Sequence, residues 1–266
     1  MFQSGQAENK RILLVNVERT ATRSPNLGLG YLASVIRRQG WDVRLFDAAQ
    51  KGAGTTALLS ALREGPWDII GFQAYSSGYP ITRAAARIAR KLNPDTPILL
   101  GGRHASPLAE EALGEEEAFT WAVVSEGELS LQELAAHAGA GSIPDEILAT
   151  IPNLVRRTPA GFMRGPSRNP ENLDDLPLPA WDLIGPEHYP DSPIGAFVDA
   201  LPVVPIITSR GCPCRCGFCG AHLAGTKICL RSPEAVVDEM EYLHKRHGVR
   251  EIQILDDNFN WHRSHA

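Results

Sequence analysis

No apolar run in this 266-residue chain approaches the ~20 residues that a helix needs to cross a bilayer. The opening segment, MFQSGQAENK, has no apolar core of the kind a secretory leader carries. The protein is therefore expected to be cytoplasmic, with no membrane partner. Basic residues are also short: 26 Lys and Arg stand against 31 Asp and Glu, a net charge of −5, and no basic block is long enough to follow a phosphate backbone. A nucleic-acid partner is not expected. Arg37-Arg38 and Lys245-Arg246-His247 fall near helix ends, where cations offset the macrodipole. Internal repeats and low-complexity tracts are missing. Cysteine is scarce, at five residues, and four of them lie between Cys212 and Cys219. A disulfide framework spreads its cysteines to close long loops. Crowding of this kind in a cytoplasmic chain points to a metal site. Cys229, the fifth, reads as a plain buried or half-buried thiol.

What is present is a globular composition, 43% apolar and 21% charged, in a length comfortable for two domains. Strand-like apolar runs alternate with helical periodicities. RILLVNV from Arg11, DVRLFD from Asp42, DIIGFQ from Asp68, PILL from Pro97 and Phe119–Val124 read as strands. Leu27–Gln39, Thr55–Glu64, Ile81–Leu92 and Glu128–His137 read as helices. Strands apolar on both faces predict a parallel α/β sheet covered by helices on both sides. Such sheets bind ligands beyond the carboxyl ends of their strands, at the switch point, so the loops after Val17, Gln73, Leu100 and Val124 are the informative ones. This pattern fills residues 1–150. Residues 151–201 are proline-rich, hold two short strands (NLVRR and GFMRG) and read as an ordered linker. From 202 to 266 a second α/β pattern begins with VVPIIT, passes the cysteine loop, and continues with a helix opened by Ser232-Pro233 and closed by Gly248, then REIQIL.

Within the cysteine loop, Cys212, Cys216 and Cys219 have the spacing C-x3-C-x2-C. Three thiolates from one loop can hold three irons of a [4Fe–4S] cluster and leave the fourth open. Two other metal sites compete. Zinc could use Cys212, Cys214, Cys216, Cys219 and His222, although zinc sites usually split their ligands into two separated pairs. An electron-transfer cluster would need a fourth cysteine, and Cys214 is one residue from being adjacent to two of the others. The segment TSRGCPCRCGFC closely resembles the cluster loop of the radical S-adenosylmethionine (SAM) superfamily. That resemblance implies that SAM chelates the open iron and is cleaved by the reduced cluster, with electrons from an external donor such as flavodoxin or ferredoxin. It also implies that Phe218 packs near the adenine, and that the strand end holding Asp256 and Asp257 contacts SAM. The ordinary alternative for the two aspartates is a solvated strand terminus or a helix cap.

In the first part, NLGLGYLASVIRRQGWDVRLFDA, DIIGFQAYSSGYP, PILLGGRHAS and VVSEGELSLQEL together cover most of the domain. Gly101-Gly102 at a strand end lets backbone approach a bulky ligand. Ser76 and Ser77 can hydrogen-bond its polar edge, His104 follows the glycines, and Glu126-Gly127-Glu128 opens a helix. Each of these alone would be an ordinary turn or cap. Together the four pieces resemble the cobalamin-binding domain of a radical SAM branch that includes methyltransferases and anaerobic magnesium-protoporphyrin cyclases. The resemblance implies a Rossmann- or flavodoxin-like cobalamin domain followed by the first β-α-β part of a radical SAM partial barrel, shorter than the family's. Ser76, Ser77, Gly101, Gly102, His104, Glu126, Gly127 and Glu128 are the expected cobalamin contacts. The D-x-H-x-x-G motif of classical cobalamin proteins is missing, since Arg19–Ser24 holds no His; cobalamin here would lack a protein His ligand. The expected activity is methyl transfer to, or oxidative modification of, an unactivated carbon in a small-molecule or peptide substrate. A non-catalytic cofactor-binding module is the alternative. His262 and His265 read as terminal residues rather than ligands.

Overall fold

A computed structural model describes residues 10–19, 23–138, 142–192, 197–221 and 227–261. Thr20–Thr22 of the Arg19–Ser24 loop, His222, His262 and His265 lie outside the described residues, so the readings placed on them have no structural counterpart.

Five strands run parallel: β1 (Arg11–Asn16), β2 (Asp42–Asp47), β3 (Ile69–Gln73), β4 (Ile98–Gly101) and β5 (Trp121–Val123). Helices α1 (Leu27–Arg37), α2 (Thr55–Arg63), α3 (Tyr79–Leu92) and α4 (Ala105–Glu115) connect them, and α5 (Glu128–His137) and the short α6 (Asp145–Leu148) follow. Parallel neighbours need such crossovers, and strands covered on both faces lose their polar alternation. β1 shows this, with every residue after Arg11 buried. Two apolar clusters sandwich the sheet. One gathers Leu13, Val15, Ile70, Phe72 and Leu100 under α2–α4; the other gathers Ile12, Leu14, Ile69 and Leu99 under α1 and α5.

The strand order is β2-β1-β3-β4-β5-β6-β7, where β6 (Leu154–Thr158) and β7 (Gly161–Arg164) are antiparallel additions. Its first five strands have the flavodoxin-like order, whose switch point lies between β1 and β3. The β6–β7 hairpin, read from the sequence as part of the linker, thus continues the first sheet, because β5 presents an unpaired edge to it. α4 is an element the sequence reading did not anticipate. Pro107 sits in its first turn and Leu108 departs from helical geometry (φ −122°, ψ 23°), which breaks the periodicity by which a helix is recognised.

The rest of the linker packs down rather than spanning a gap. α7 (Trp181–Ile184) lies against α1, where a Cβ on Gly30 would come within 2.4 Å of Ile184 Cδ1. Any larger residue there would require Ile184 or Pro179 to shift. In the second part β8 (Val203–Ile206) pairs in parallel with β11 (Glu251–Ile254) through α8 (Pro233–His247), while β9 (Ser209–Arg210) and β10 (Cys229–Leu230) make a small antiparallel ladder flanking the cysteine loop. α8 begins and ends as its sequence predicts: Ser232 Oγ accepts from the Ala235 N–H at 3.2 Å, and Gly248 is left-handed at φ 65°.

A third apolar cluster joins the two parts. It combines Leu27 and Tyr31 of α1 with Trp181, Ile184 and Tyr189 of the linker and with Val204, Ile206, Val236 and Leu243. Within it the Trp181 indole donates to Glu239 at 2.9 Å, and Glu239 forms a buried ion pair with Arg231. Among the described residues no helix is long and apolar enough to cross a membrane.

Candidate functional site

A cavity of about 490 Å³ opens beyond the carboxyl ends of the parallel strands, at the β1/β3 switch point. Backbone forms much of its wall: Gly28, Gly71, Gly101, Gly102, Gly127 and Gly211 all line it. Gly102 is required by the chain itself. At φ 91° it occupies the region L side chains avoid, and a Cβ there would stand 2.7 Å from the Ala74 carbonyl oxygen. Gly101 is different, since its Cβ would meet only the Phe72 carbonyl at 3.9 Å. Leu14, Leu32, Phe72, Tyr75 and Leu99 supply apolar surface, and Asn16, Asn26, Asp47, Gln73 and Ser125 supply polar edges. Among the described residues no His lines this cavity. A flat, amide-edged ligand approached by backbone and few side chains fits such a wall.

The floor holds a buried carboxylate. Asp47 accepts from Asn16 Nδ2 (2.9 Å), the Ala49 N–H (2.9 Å) and the Tyr189 hydroxyl (2.8 Å). Burial raises its pKa, and these donors pull it back only in part. The side wall holds a second charged group. Arg210 Nη1 donates to Glu126 Oε2 at 2.5 Å and to Glu128 Oε1 at 2.7 Å, and its guanidinium lies 4.8 Å from the centre of the Tyr31 ring. Burial, Arg210 and Glu128 act together on Glu126; burial dominates and raises its pKa. Burial, with Glu239 adding, pushes the Tyr31 hydroxyl up to about 12. Beyond this wall lies a more polar cavity of about 680 Å³, reached through Ser106, Ser125, Glu126, Arg210 and Gly211, which line both spaces.

Arg210 is also the last residue before the cysteine loop. Asp256 fastens the same stem from the other side, accepting from the Thr208 N–H (2.8 Å), the Thr208 hydroxyl (2.5 Å) and the Ser209 hydroxyl (2.7 Å). The loop leaves this stem at Gly211, φ 89°. Cys214, Cys216 and Cys219 are exposed and Cys212 is partly so. The Cys219 N–H donates to the Cys216 carbonyl at 3.0 Å, which closes a turn between those two residues. A hydrogen bond to Cys212, reinforced by the neighbouring sulfurs, raises the Cys214 pKa. The donor set suits a thiophilic cluster. Among the described residues, however, no three His, Cys, Asp or Glu side chains are gathered closely enough to hold a metal ion.

Residues 13–135 match the B12 binding domain family. An uncharacterised methyltransferase of Pyrococcus horikoshii is 30% identical over 248 residues, which cover 92% of this chain and 51% of that protein. Residues 13–135 form a B12-binding-type domain. A cytidylyl-2-hydroxyethylphosphonate methyltransferase of Streptomyces wedmorensis is 26% identical over 98% of this chain and 58% of its own length. The chain thus spans about half the length of these curated relatives. Its fold matches that of the radical SAM methyltransferase TsrM of Kitasatospora setae, solved with cobalamin and a [4Fe–4S] cluster (TM-score 0.73, 22% identity, 95% of this chain and 48% of that one). It also matches that of the cobalamin-dependent radical SAM enzyme OxsB (TM-score 0.76, 19% identity, 95% and 34%).

In this B12-binding-domain protein, the residues singled out from sequence divide into two groups. Gly101, Gly102, Glu126, Gly127, Glu128 and Asp257 line the 490 Å³ cavity together. Ser76, Ser77 and His104 do not. The Ser76 hydroxyl is 3.1 Å from His104 Nδ1, Ser77 donates to Glu18 at 2.6 Å, and the His104 ring stacks on Tyr79 at 3.8 Å. Burial lowers the His104 pKa, as expected for a ring inserted between helices rather than facing a ligand. Asp256 serves the stem, and Asp257 faces Arg103 across the cavity mouth at 3.8 Å. Phe218 is 94% exposed. Cys229 is the half-buried thiol expected, 3.6 Å from the Pro170 carbonyl oxygen. Sequence reasoning missed Asn16, Asp47, Tyr31 and Arg210. Asn16 and Asp47 were legible as polar residues ending apolar strands. For Tyr31 and Arg210 no local signal exists, because their partners lie far along the chain.

Proposed function

We propose that this chain forms the cofactor-binding part of a cobalamin-dependent radical SAM enzyme that methylates or oxidatively modifies an unactivated carbon. The observation carrying this reading is the shared wall: Arg210-Gly211, which lead into Cys212, also line the glycine-walled cavity at the switch point. A corrin ring in that cavity and a cluster on that loop would be neighbours. In this reading Gly101 and Gly102 let the ring approach backbone, and Glu126, Gly127 and Glu128 form its side wall. Among the described residues no His lines the cavity, so none of these would ligate cobalt. Cys212, Cys216 and Cys219 would ligate three irons, gathering when the cluster assembles, and Cys214 would remain a thiol. Phe218 and Asp257 would meet SAM, while Asp256 holds the stem. Bound, the cluster would supply one electron to SAM, and cobalamin would carry a methyl group. The division into residues 1–150, 151–201 and 202–266 belongs to the same proposal, with β6 and β7 of the middle segment added to the first part's sheet. So does an external one-electron donor. Tryptophan is the substrate seen in TsrM, and a small organic molecule is the substrate class proposed here.

Anaerobic reconstitution with iron and sulfide tests the cluster, and equilibrium binding of hydroxocobalamin tests the cavity. Replacing Cys212, Cys216 or Cys219 by Ala should abolish the reduced [4Fe–4S] signal, and Cys214→Ala should keep it. Because the loop is exposed, all four changes should alter folding stability by no more than about 0.5 kcal/mol. Equal loss of iron with Cys214→Ala would overturn the ligand set. Nitrogen hyperfine structure from a protein His on cob(II)alamin would overturn the assignment without a His ligand. Cobalamin uptake without iron uptake would favour a non-catalytic binding module.

A further inference from the structure

The two-residue strand β9 carries the cysteine loop, and it is held from both sides. From the second part, Asp256 grips Thr208 and Ser209 through three hydrogen bonds. From the first part, Glu126 and Glu128 both take Nη1 of Arg210, whose guanidinium also covers Tyr31 of α1. The second grip is buried: the side chains of Arg210 and Glu128 are 13% and 4% exposed, so water competes little for the contact. It is also unbalanced. Two carboxylates accept from one cation, with Arg103 acting on Glu126 only through space, and among the described residues Glu128 Oε2 is buried without a hydrogen-bond partner. An apolar pair would close this seam at less cost in desolvation, so the arrangement points to a directional task. The loop leaves the stem at Gly211, where positive φ lets it turn without constraint from a side chain. Whatever fixes Arg210 therefore fixes where the loop starts relative to the cavity.

We propose that Arg210 is a positioning residue, tying the cysteine loop to the wall of the glycine-lined cavity through Glu126, Glu128 and Tyr31. Under the proposed function above, on which its significance rests, this contact sets the separation of cluster and corrin. Tyr31, Glu126 and Glu128 line the cavity too, so a ligand there bears directly on the contact.

Two measurements on the full chain test this. The first is amide hydrogen exchange over residues 208–219 with no cofactor present. Arg210→Met should speed exchange there at least tenfold and leave β1, β3 and β4 unchanged, and Arg210→Lys, which keeps the charge, should recover part of the protection. The second is electron paramagnetic resonance of protein loaded with both cofactors. The reduced cluster should broaden the cob(II)alamin signal in the wild type, and in Arg210→Met, compared at matched iron and cobalamin content, that broadening should be reduced. Wild-type exchange and wild-type broadening in Arg210→Met would overturn the proposal. If Arg210→Met does not fold, Glu126→Gln and Glu128→Gln replace it, and each should loosen the same segment. Failure of the wild type to bind hydroxocobalamin would sink the cavity assignment. The exchange experiment would still decide whether Arg210 holds the loop.

Discussion

β1 and β3 lie inside a sheet with helices on both faces, whereas β8 and β11 pair with each other in a sheet of two strands. Both pairs are parallel and both are joined through a helix. β1 is buried from Ile12 onward, but β11 is only half-buried and Ile254 and Leu255 are open to solvent. The covered face of the second pair is the one turned to α8 and to the linker's Trp181 and Tyr189. The same local pattern thus yields a deep core in one region and a thin one in the other. Burial belongs to the neighbours a strand acquires, not to its own residues. The difference also separates the two parts of the candidate site: the deeply packed region supplies the cavity wall, and the open one supplies an exposed loop that meets the wall at Arg210.

The contrast is broken most directly by paired truncations. Phe72, 2% exposed, packs edge-on against Phe119, and Phe72→Ala should cost about 3–5 kcal/mol of folding stability. Ile254→Ala in β11 should cost less than about 1 kcal/mol, because a half-exposed side chain has little burial to lose. Urea unfolding of the two variants measures both. Equal losses would mean that β11 is packed as deeply as β3.

A smaller effect separates two adjacent glycines of the first region. Gly102→Ala should destabilise the fold by about 1–3 kcal/mol, because its backbone is left-handed and its Cβ would press on the Ala74 carbonyl. Gly101→Leu should leave the melting temperature near that of the wild type and weaken cobalamin binding at least tenfold, since the added side chain would enter the cavity. Unchanged cobalamin affinity in Gly101→Leu would place the corrin elsewhere.

The smallest effect is a slope. Burial holds the Asp47 carboxyl above its ordinary value of about 3.8, so the folded chain binds that proton more tightly than the unfolded one. Its contribution to stability is full below that value and is lost as the pH rises through the raised folded pKa. Asp47→Asn should flatten stability against pH across this window. Parallel curves for variant and wild type would show that Asp47 ionises as easily inside the fold as outside it.

Much of this was legible in one dimension. The α/β alternation, the caps of α8 and the C-x3-C-x2-C spacing are local signals, and each rests on residues within a few positions of one another. α4 escaped because Pro107 and the break at Leu108 disturb its periodicity. The hairpin β6–β7 was visible as strands, but its place on the first sheet was not, because pairing with β5 is a long-range choice. Among the expected cobalamin contacts, the glycines reach the cavity because backbone at the carboxyl end of a strand has nowhere else to go. Ser76, Ser77 and His104 were equally near in sequence, yet His104, Glu18 and Tyr79 offered them closer partners.

By itself the sequence determined most of the strands and helices, where the glycine-rich and cysteine-rich loops fall and which thiols are spaced for a cluster, because periodicity, capping and motif spacing act over a turn or two of chain. Only the tertiary structure decided that Arg210 would meet Glu126, Glu128 and Tyr31, that Tyr189 would reach Asp47, and that the linker would close over α1. Those partners lie roughly eighty to one hundred and eighty residues apart in the chain. A contact at that distance is chosen by which surfaces the packed core brings together, and no local pattern encodes it.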